Sequence, residues 1–278
     1  MIYRTLFLKF YPYFLHHRQI LIRLFLPICR LVSIVYIGSR VQCPCCMGKF
    51  RTFLPFGAPP FSRRPNALCP GCFSLERHRL MWLFFKDRTN LLTAQLSMLH
   101  VAPEFIFQRR LRDMSNLDYL SADLRATEAM VQMDITDIHR PDNTFDVIYC
   151  SHVFEHIPND FKAMCELARV LKPGGWAILQ VPQDVDMELT KEGNDGMTVL
   201  EREVEFGHHD HLRLYGLDYG RKLEEAGFEV TVVDYAEELG PDIVLRYGLK
   251  KREPIYYCGK KVAVMQISSA SVSIAGTR

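Results

Sequence analysis

Phe145-Asp146-Val147-Ile148-Tyr149-Cys150, continuing into Ser151-His152-Val153-Phe154-Glu155-His156 and, further on, Arg169-Val170-Leu171-Lys172-Pro173-Gly174-Gly175-Trp176, is the stretch that decides the fold. Its first six residues are an apolar run of strand length, starting just after the turn-forming Pro141-Asp142-Asn143. Asp160 stands where a helix cap belongs, ahead of Phe161, Met164, Ala168 and Leu171 at helical spacing, and Pro173-Gly174-Gly175 is a stop signal. Residues 176–181 form the next apolar run. Strand, amphipathic helix and strand in this order predict a parallel pair joined by a crossover helix.

The same alternation begins at about residue 94. Leu96–Val101 reads as a first strand, 117–122 as a second ending in Asp123, and 130–133 as a short third ending in Asp134. The runs at Phe145 and Trp176 are then the fourth and fifth. A helix over 219–226 stopped by Gly227, a strand Phe228–Val233 and a closing strand over 255–258 complete the pattern. The body is therefore expected to be α/β, a largely parallel sheet covered by helices.

Ahead of this body the chain changes character. The formal net charge of +2 hides a division: no Asp or Glu precedes Glu76, so residues 1–75 carry +10 and the remainder −8. Net charge speaks to association rather than to fold, so the two parts are expected to meet different partners. Residues 1–42 are a basic, apolar leader in which Arg23 and Arg30 interrupt what would otherwise be a membrane span. No small-residue cleavage site follows a clean apolar core. Two readings stay open: an interfacial segment on an anionic membrane, or a helical hairpin kinked at Pro27 and docked on the body.

The nine cysteines are an odd number, and four of them fall in two tight pairs, which is no secreted disulfide pattern. Cys43-Pro44-Cys45-Cys46 and Cys69-Pro70-Gly71-Cys72, separated by 22 residues, have the spacing of a zinc ribbon. Cys45 is the spare, because Cys43 with Cys46 repeats the Cys-Pro-x-Cys form of the second knuckle. Four thiolates close a coordination sphere, so Cys43, Cys46, Cys69 and Cys72 are expected to hold a structural zinc that activates no water. Residues 50–56 alternate like a ribbon hairpin broken at Pro59-Pro60, and Ser74 reads as the cap of a linking helix with Glu76 in its first turn. That helix would turn Leu75, Leu80, Leu83 and Phe84 toward the body. Cys29, Cys150, Cys165 and Cys258 lie in apolar runs as small hydrophobes, which suits a reducing, cytoplasmic compartment.

From residue 94 to about 265 the chain resembles the class I S-adenosylmethionine (SAM)-dependent methyltransferases. The resemblance rests on Asp123 after the second strand, Met133-Asp134-Ile135 after the third, Phe145-Asp146 with Ser151 to His156 at the fourth, and Arg169 to Gly175 before the fifth. It implies a Rossmann-like, doubly wound, mostly parallel seven-stranded sheet with helices on both faces, and SAM at the carboxyl ends of the strands. It also implies that Asp123 accepts the ribose hydroxyls, Asp134 the adenine amino group and the Ile135 backbone the ring edge, with Leu124 and Ser151 beside them. In the first motif the chain departs from the family, with His100 at the usual acidic position and Ala102 and Glu104 at the usual glycines. These three are counted with the cofactor-binding positions. No Asn-Pro-Pro-Tyr-type motif follows the fourth strand, which argues against the amino-methylating DNA and glutamine modifiers.

His152 and His156 fall where acceptors approach in this family, and His211 closes the run His208-His209-Asp210-His211 after the fifth strand. A histidine titrating near neutrality suits the deprotonation of a hydroxyl, so these three are the candidate catalytic residues. A second metal at residues 208–211 is the weaker reading, because adjacent His208 and His209 do not share a helix face. The expected function is SAM-dependent methylation, chiefly of oxygen, on a small-molecule, glycan or lipid-linked acceptor at the inner face of a membrane. One alternative is an RNA methyltransferase resembling the ribosomal RNA guanine-N1 enzymes, with the +10 region gripping phosphates. The other is a non-catalytic binding protein with a degenerate cofactor pocket. A NAD dehydrogenase is disfavoured by the absence of G-x-G-x-x-G after the first strand. The expected division is a leader (1–42), a cysteine module (43–73), a linking helix (74–93), a methyltransferase domain (94–268) and a disordered tail (269–278).

Overall fold

The computed structural model describes residues 33–57, 63–125 and 129–261. Most of the expected leader, through residue 32, and the expected tail from 269 lie outside the described residues. The cysteine module begins inside what the sequence assigned to the leader: β1 (Ile37–Gln42) pairs antiparallel with β2 (Lys49–Phe50). A second antiparallel pair joins β3 (Leu54–Phe56) to β4 (Arg64–Leu68). The expected hairpin over 50–56 is thus two strands of two different pairs. The chain turns between them because Asn66 Oδ1 accepts from the Phe53 N–H at 2.8 Å and the Thr52 hydroxyl at 3.1 Å, while the Phe53 ring is buried.

Helix α1 (Glu76–Arg88) links module and body. Ser74 does not cap it. The ring Nδ1 of His78 accepts the Leu75 N–H at 3.1 Å instead, and Glu76 pairs with Arg64 of β4 at 2.9 Å. The body follows as β5 (Leu96–Val101), α2 (Phe105–Leu111), β6 (Leu117–Asp123), β7 (Val131–Gln132), β8 (Phe145–Ser151), a 3₁₀ turn (Phe154–His156), α3 (Asp160–Val170) and β9 (Leu171–Gln180). An insertion carries β10 (Lys191–Glu192), α4 (Val199–Phe206) and β11 (Arg213–Leu214). The chain ends in α5 (Tyr219–Glu225), β12 (Phe228–Val233), α6 (Tyr235–Leu239), α7 (Pro241–Tyr247) and β13 (Ile255–Lys260).

Seven strands form one sheet in the order β12-β13-β9-β8-β5-β6-β7, with β13 antiparallel to both neighbours and the other pairings parallel. This is the Rossmann-like architecture expected from the resemblance. Adjacent residues of the central strands point to opposite layers. Leu99, Ile148 and Leu179 pack with Leu167 of α3 and Tyr219 of α5, whereas Met98, Tyr149 and Ile178 pack with Phe85 of α1 and Phe107 of α2. Burial on both faces explains the continuous apolar runs. Each such side chain contributes roughly 1.5–3 kcal/mol by leaving water.

The motif residues largely serve the architecture. Asp146 Oδ2 accepts from the Ser97 N–H at 2.9 Å, the Ser97 hydroxyl at 2.7 Å and Lys172 Nζ at 2.8 Å, joining the entries of β5, β8 and β9. Arg169 donates to Glu166, Asp142 and the carbonyls of Arg140 and Ile138. The cap of α3 is Asn159, whose side chain accepts the Lys162 N–H at 3.0 Å, rather than Asp160. Asp160 is drawn toward the insertion, where it accepts from the Tyr215 hydroxyl at 2.7 Å. Helix α3 ends at Val170, and Pro173-Gly174-Gly175 already belongs to β9, with a register shift against β8. A Cβ at Gly175 would stand 2.7 Å from the Asp146 carbonyl oxygen, so this close strand approach requires glycine. Cys150 and Cys258 are buried as expected, Cys165 is half-buried, and Cys29 lies outside the described residues.

Candidate functional site

The two cysteine knuckles are built alike. In the first, the Met47 N–H donates to the Cys43 carbonyl and the Cys43 N–H to the Gly48 carbonyl; in the second, Phe73 donates to Cys69 and Cys69 to Ser74. The residue after each second cysteine, Met47 (φ 61) and Phe73 (φ 60), takes the left-handed conformation that closes the loop. Cys43 Sγ lies 3.6 Å from Cys72 Sγ, and Cys46 Sγ lies 3.7 Å from Cys69 Sγ. Four thiolates ~2.3 Å from one tetrahedral ion stand ~3.8 Å apart, so the donor set fits a single ion of that kind. The Ser74 hydroxyl sits 3.2 Å from Cys43 Sγ and 3.3 Å from Cys72 Sγ, an outer contact to both knuckles. Cys45 is buried outside the set, its thiol donating to the His78 carbonyl.

In the body, the sheet order reverses between β5 and β8, and ligands bind at the carboxyl ends of strands beside such a switch. Toward the edge of the sheet, past the ends of β6 and β7, a recess is lined by Leu124, Val131, Gln132, Met133, Asp134, Asp137, His139 and Arg140. Asp123 ends β6 beside it, its Oδ1 accepting the Arg125 N–H at 2.8 Å. Asp134 accepts the N–H and hydroxyl of Thr136, both at 2.8 Å, which hold its carboxyl below the usual range. Ile135 is buried in the core. Leu124 and Asp134 both line this recess, and Asp123 ends the strand beside it.

The first motif is different. Ala102 adopts φ 45, the conformation that a glycine normally supplies. His100 is a correction to the sequence reading: it is fully buried, with Nδ1 2.8 Å from the Tyr119 hydroxyl and Nε2 3.2 Å from Glu104, so its side chain cannot reach a ligand. Glu104 turns to the same interior network and accepts from the Tyr149 hydroxyl at 3.4 Å. Burial raises its pKa, but the His100 contact and the neighbouring His78 outweigh that, and the carboxyl falls to about 2. Burial, with Arg77 adding, drives the His78 ring down to about 3.

A second, smaller cavity is lined by Tyr149, Ser151, His152, Gln180, Glu253 and Ile255, with Arg77, Leu80 and Met81 of α1 as its further wall. His152 adopts φ 56 at the end of β8, its N–H held by the Gln180 carbonyl at 2.8 Å and its Nδ1 3.4 Å from Glu155 Oε1. Strained residues of this kind collect at functional sites. His156 and His211 approach the same Glu155 oxygen, with ring centroids 4.9 Å apart. Burial lowers both rings; in His156 the Asp210 contact and the carboxylate charges reverse this to a net rise, whereas His211 stays lowered. Sequence reasoning missed Glu155, Arg77 and Glu253, because only packing buries the first and brings the other two to the strand ends.

A family described as a methyltransferase domain matches residues 97–179. Among curated relatives, a ubiquinone biosynthesis O-methyltransferase of Burkholderia vietnamiensis is 31% identical over 122 residues, covering 42% of this chain and 50% of that protein. Sterol 24-C-methyltransferase ERG6B of Gibberella zeae is 28% identical over 107 residues, covering 36% of this chain and 26% of that one. The chain spans half or less of the length of these curated relatives. Among solved structures, a SAM-dependent methyltransferase of Mesorhizobium loti aligns with TM-score 0.44 at 15% identity, covering 65% of this chain and 98% of that one. The [4+2]-cyclase SpnF aligns with TM-score 0.44 at 18% identity, covering 68% and 84%. A seven-stranded, Rossmann-like sheet whose residues 97–179 match the methyltransferase domain family thus stands behind a four-cysteine module.

Proposed function

We propose that this protein transfers the methyl group of SAM to a hydroxyl oxygen of a small, lipid-like acceptor. The observation that carries the reading is His152, held in a strained conformation at the end of β8 and facing the buried carboxylate of Glu155. The names of two relatives refer to ubiquinone biosynthesis and to a sterol, which supports an acceptor of this class. SAM, when bound, supplies an electrophilic methyl on a sulfonium. Asp123 would accept the ribose hydroxyls and Asp134 the adenine amino group, with Leu124 and Met133 against the ring. The positive φ of Ala102 keeps the first loop in the shape that cofactor approach needs, so the missing glycine does not exclude binding.

His152 would receive the acceptor proton, and the Glu155 carboxylate, 3.4 Å from its Nδ1, would balance the resulting charge. Methyl transfer is a displacement, so positioning supplies much of the acceleration. His156 and His211 face Glu155 rather than the cavity beside His152. In the module we propose zinc as the ion, because thiolates select soft or borderline metals and four of them leave no open position. Peripheral membrane contact is part of the same reading: Ile34, Val35 and Ile37 are exposed next to Arg40 at the start of the described chain. No helix among the described residues is long and apolar enough to cross a membrane.

The test is transfer of isotope from labelled SAM into fractionated cell extract. Wild-type protein should label an organic-extractable small molecule. His152→Ala should lower kcat by ~10²–10⁴ with SAM affinity unchanged, and Asp123→Ala should lose SAM binding. Isotope recovered in RNA, or His152→Ala at full activity, overturns the reading.

A further inference from the structure

The carboxylate that faces His152 also faces two imidazoles from separate segments. Glu155 is fully buried in the 3₁₀ turn after β8, and neither of its oxygens has a hydrogen-bond partner among the described residues. An ionised carboxylate is costly to bury unless it is paired or coordinates a metal. His156 Nε2 stands 3.8 Å and His211 Nε2 3.9 Å from Glu155 Oε1. These separations are too long for hydrogen bonds. They are close to those an ion requires, since ligands ~2.1 Å from a tetrahedral centre lie ~3.4 Å apart. The ligand atoms of all three residues fall within 4.8 Å of one another.

The outer contacts select the nitrogen that each ring offers. His211 Nδ1 lies 2.9 Å from the Phe206 carbonyl, to which it can only donate, so Nε2 keeps its lone pair toward Glu155. His156 Nδ1 lies 3.4 Å from Asp210 Oδ1, giving the carboxylate–histidine arrangement that orients metal ligands. Asp210 is itself in contact with His208 Nδ1. The two segments are already fastened: the Leu212 N–H donates to the Glu155 carbonyl at 2.8 Å, and Arg213 donates to the carbonyls of Phe154 and Ile157. The His156 ring is about one-third exposed, at 36%, which leaves an ion a way in.

We propose that Glu155, His156 and His211 form a second metal centre, separate from the four-thiolate site, that takes a divalent transition ion of the zinc type. Two imidazoles and a carboxylate are a borderline donor set that disfavours magnesium and calcium. Three protein ligands leave a coordination position for water or an acceptor oxygen, beside His152. The centre does not depend on which acceptor is methylated.

Cobalt(II) titration of the metal-stripped full chain tests this, because cobalt on four thiolates shows charge-transfer absorption that cobalt on imidazole and carboxylate lacks. Wild-type protein should take up two cobalt ions, only one with thiolate absorption. His156→Asn and His211→Gln should each take up one, with thiolate absorption and circular dichroism unchanged. Asp210→Asn should keep the second site but weaken it ~10–100-fold. A wild-type chain that binds one cobalt at the thiolates, or a second cobalt that survives both histidine substitutions, overturns the proposal.

Discussion

Ala102 shows how one backbone angle keeps a motif working after its glycine is gone. A non-glycine residue in the left-handed region costs roughly 1–2 kcal/mol, and a β-branched residue there costs more. Ala102→Val should therefore destabilise the protein by ~2 kcal/mol or more, and Ala102→Gly should stay within ~1 kcal/mol of wild type, by denaturant unfolding. His78 and Glu104 set the acid response of the same region. The His78 pKa falls from 6.5 to about 3 on folding, so its unfolded form binds the proton first and stability drops as pH falls from 6.5 toward 3. Glu104 falls from 4.5 to about 2, so its contribution is full above 4.5 and is lost as pH falls toward 2. Unfolding midpoints at ~pH 7 and ~pH 4 should converge in His78→Asn relative to wild type, which would not occur if the ring were already charged in the fold.

At the scale of elements, the linking helix does more than connect. Arg79 of α1 is fully buried, donating to the carbonyls of Ala67 and Ser74 in the cysteine module and of Tyr247 and Gly248 at the end of α7, with its guanidinium 4.1 Å from the Phe53 ring centre. A lysine cannot reproduce that fork. Arg79→Lys should cost ~3 kcal/mol or more in thermal or chemical unfolding, because several buried carbonyls lose charged donors at once. The start of α3 gives a smaller, local effect: Asn159→Ala should cost ~1 kcal/mol as a lost cap. Asp160→Ala should also loosen the insertion, seen as faster amide exchange at Tyr215, because one Asp160 oxygen accepts the Phe161 N–H of the first turn and the other holds the Tyr215 hydroxyl.

At the scale of the whole molecule, the module and the sheet are two cores joined through Arg79 and through Trp82 and Ile106, which pack against both. Metal removal should abolish amide protection across residues 43–73 and weaken it around Tyr247 and Gly248, while β5, β8 and β9 stay protected. Loss of protection throughout the sheet would show a single cooperative unit instead. The charge division of the sequence follows the same boundary, since the acid-free part ends where α1 begins at Glu76.

The sequence by itself determined the seven strands of the sheet and the helices α3 and α5, though not α2, α4, α6, α7 or the β10–β11 pair, together with the grouping of Cys43 with Cys46 and Cys69 with Cys72, and the strand-end acids Asp123 and Asp134. Those features rest on local periodicity and on spacing within one loop, which a chain displays before it folds. Only the tertiary structure decided that His100 and Glu104 face inward, that Arg77 of the linking helix walls the cavity beside His152, and that Glu155 lies buried between His152, His156 and His211. Those facts depend on which distant segments pack together. Glu155 stands next to His156 in the chain but is 56 residues from His211, and nothing in its local pattern records the contact. Burial without a hydrogen-bond partner among the described residues is what singles this turn residue out.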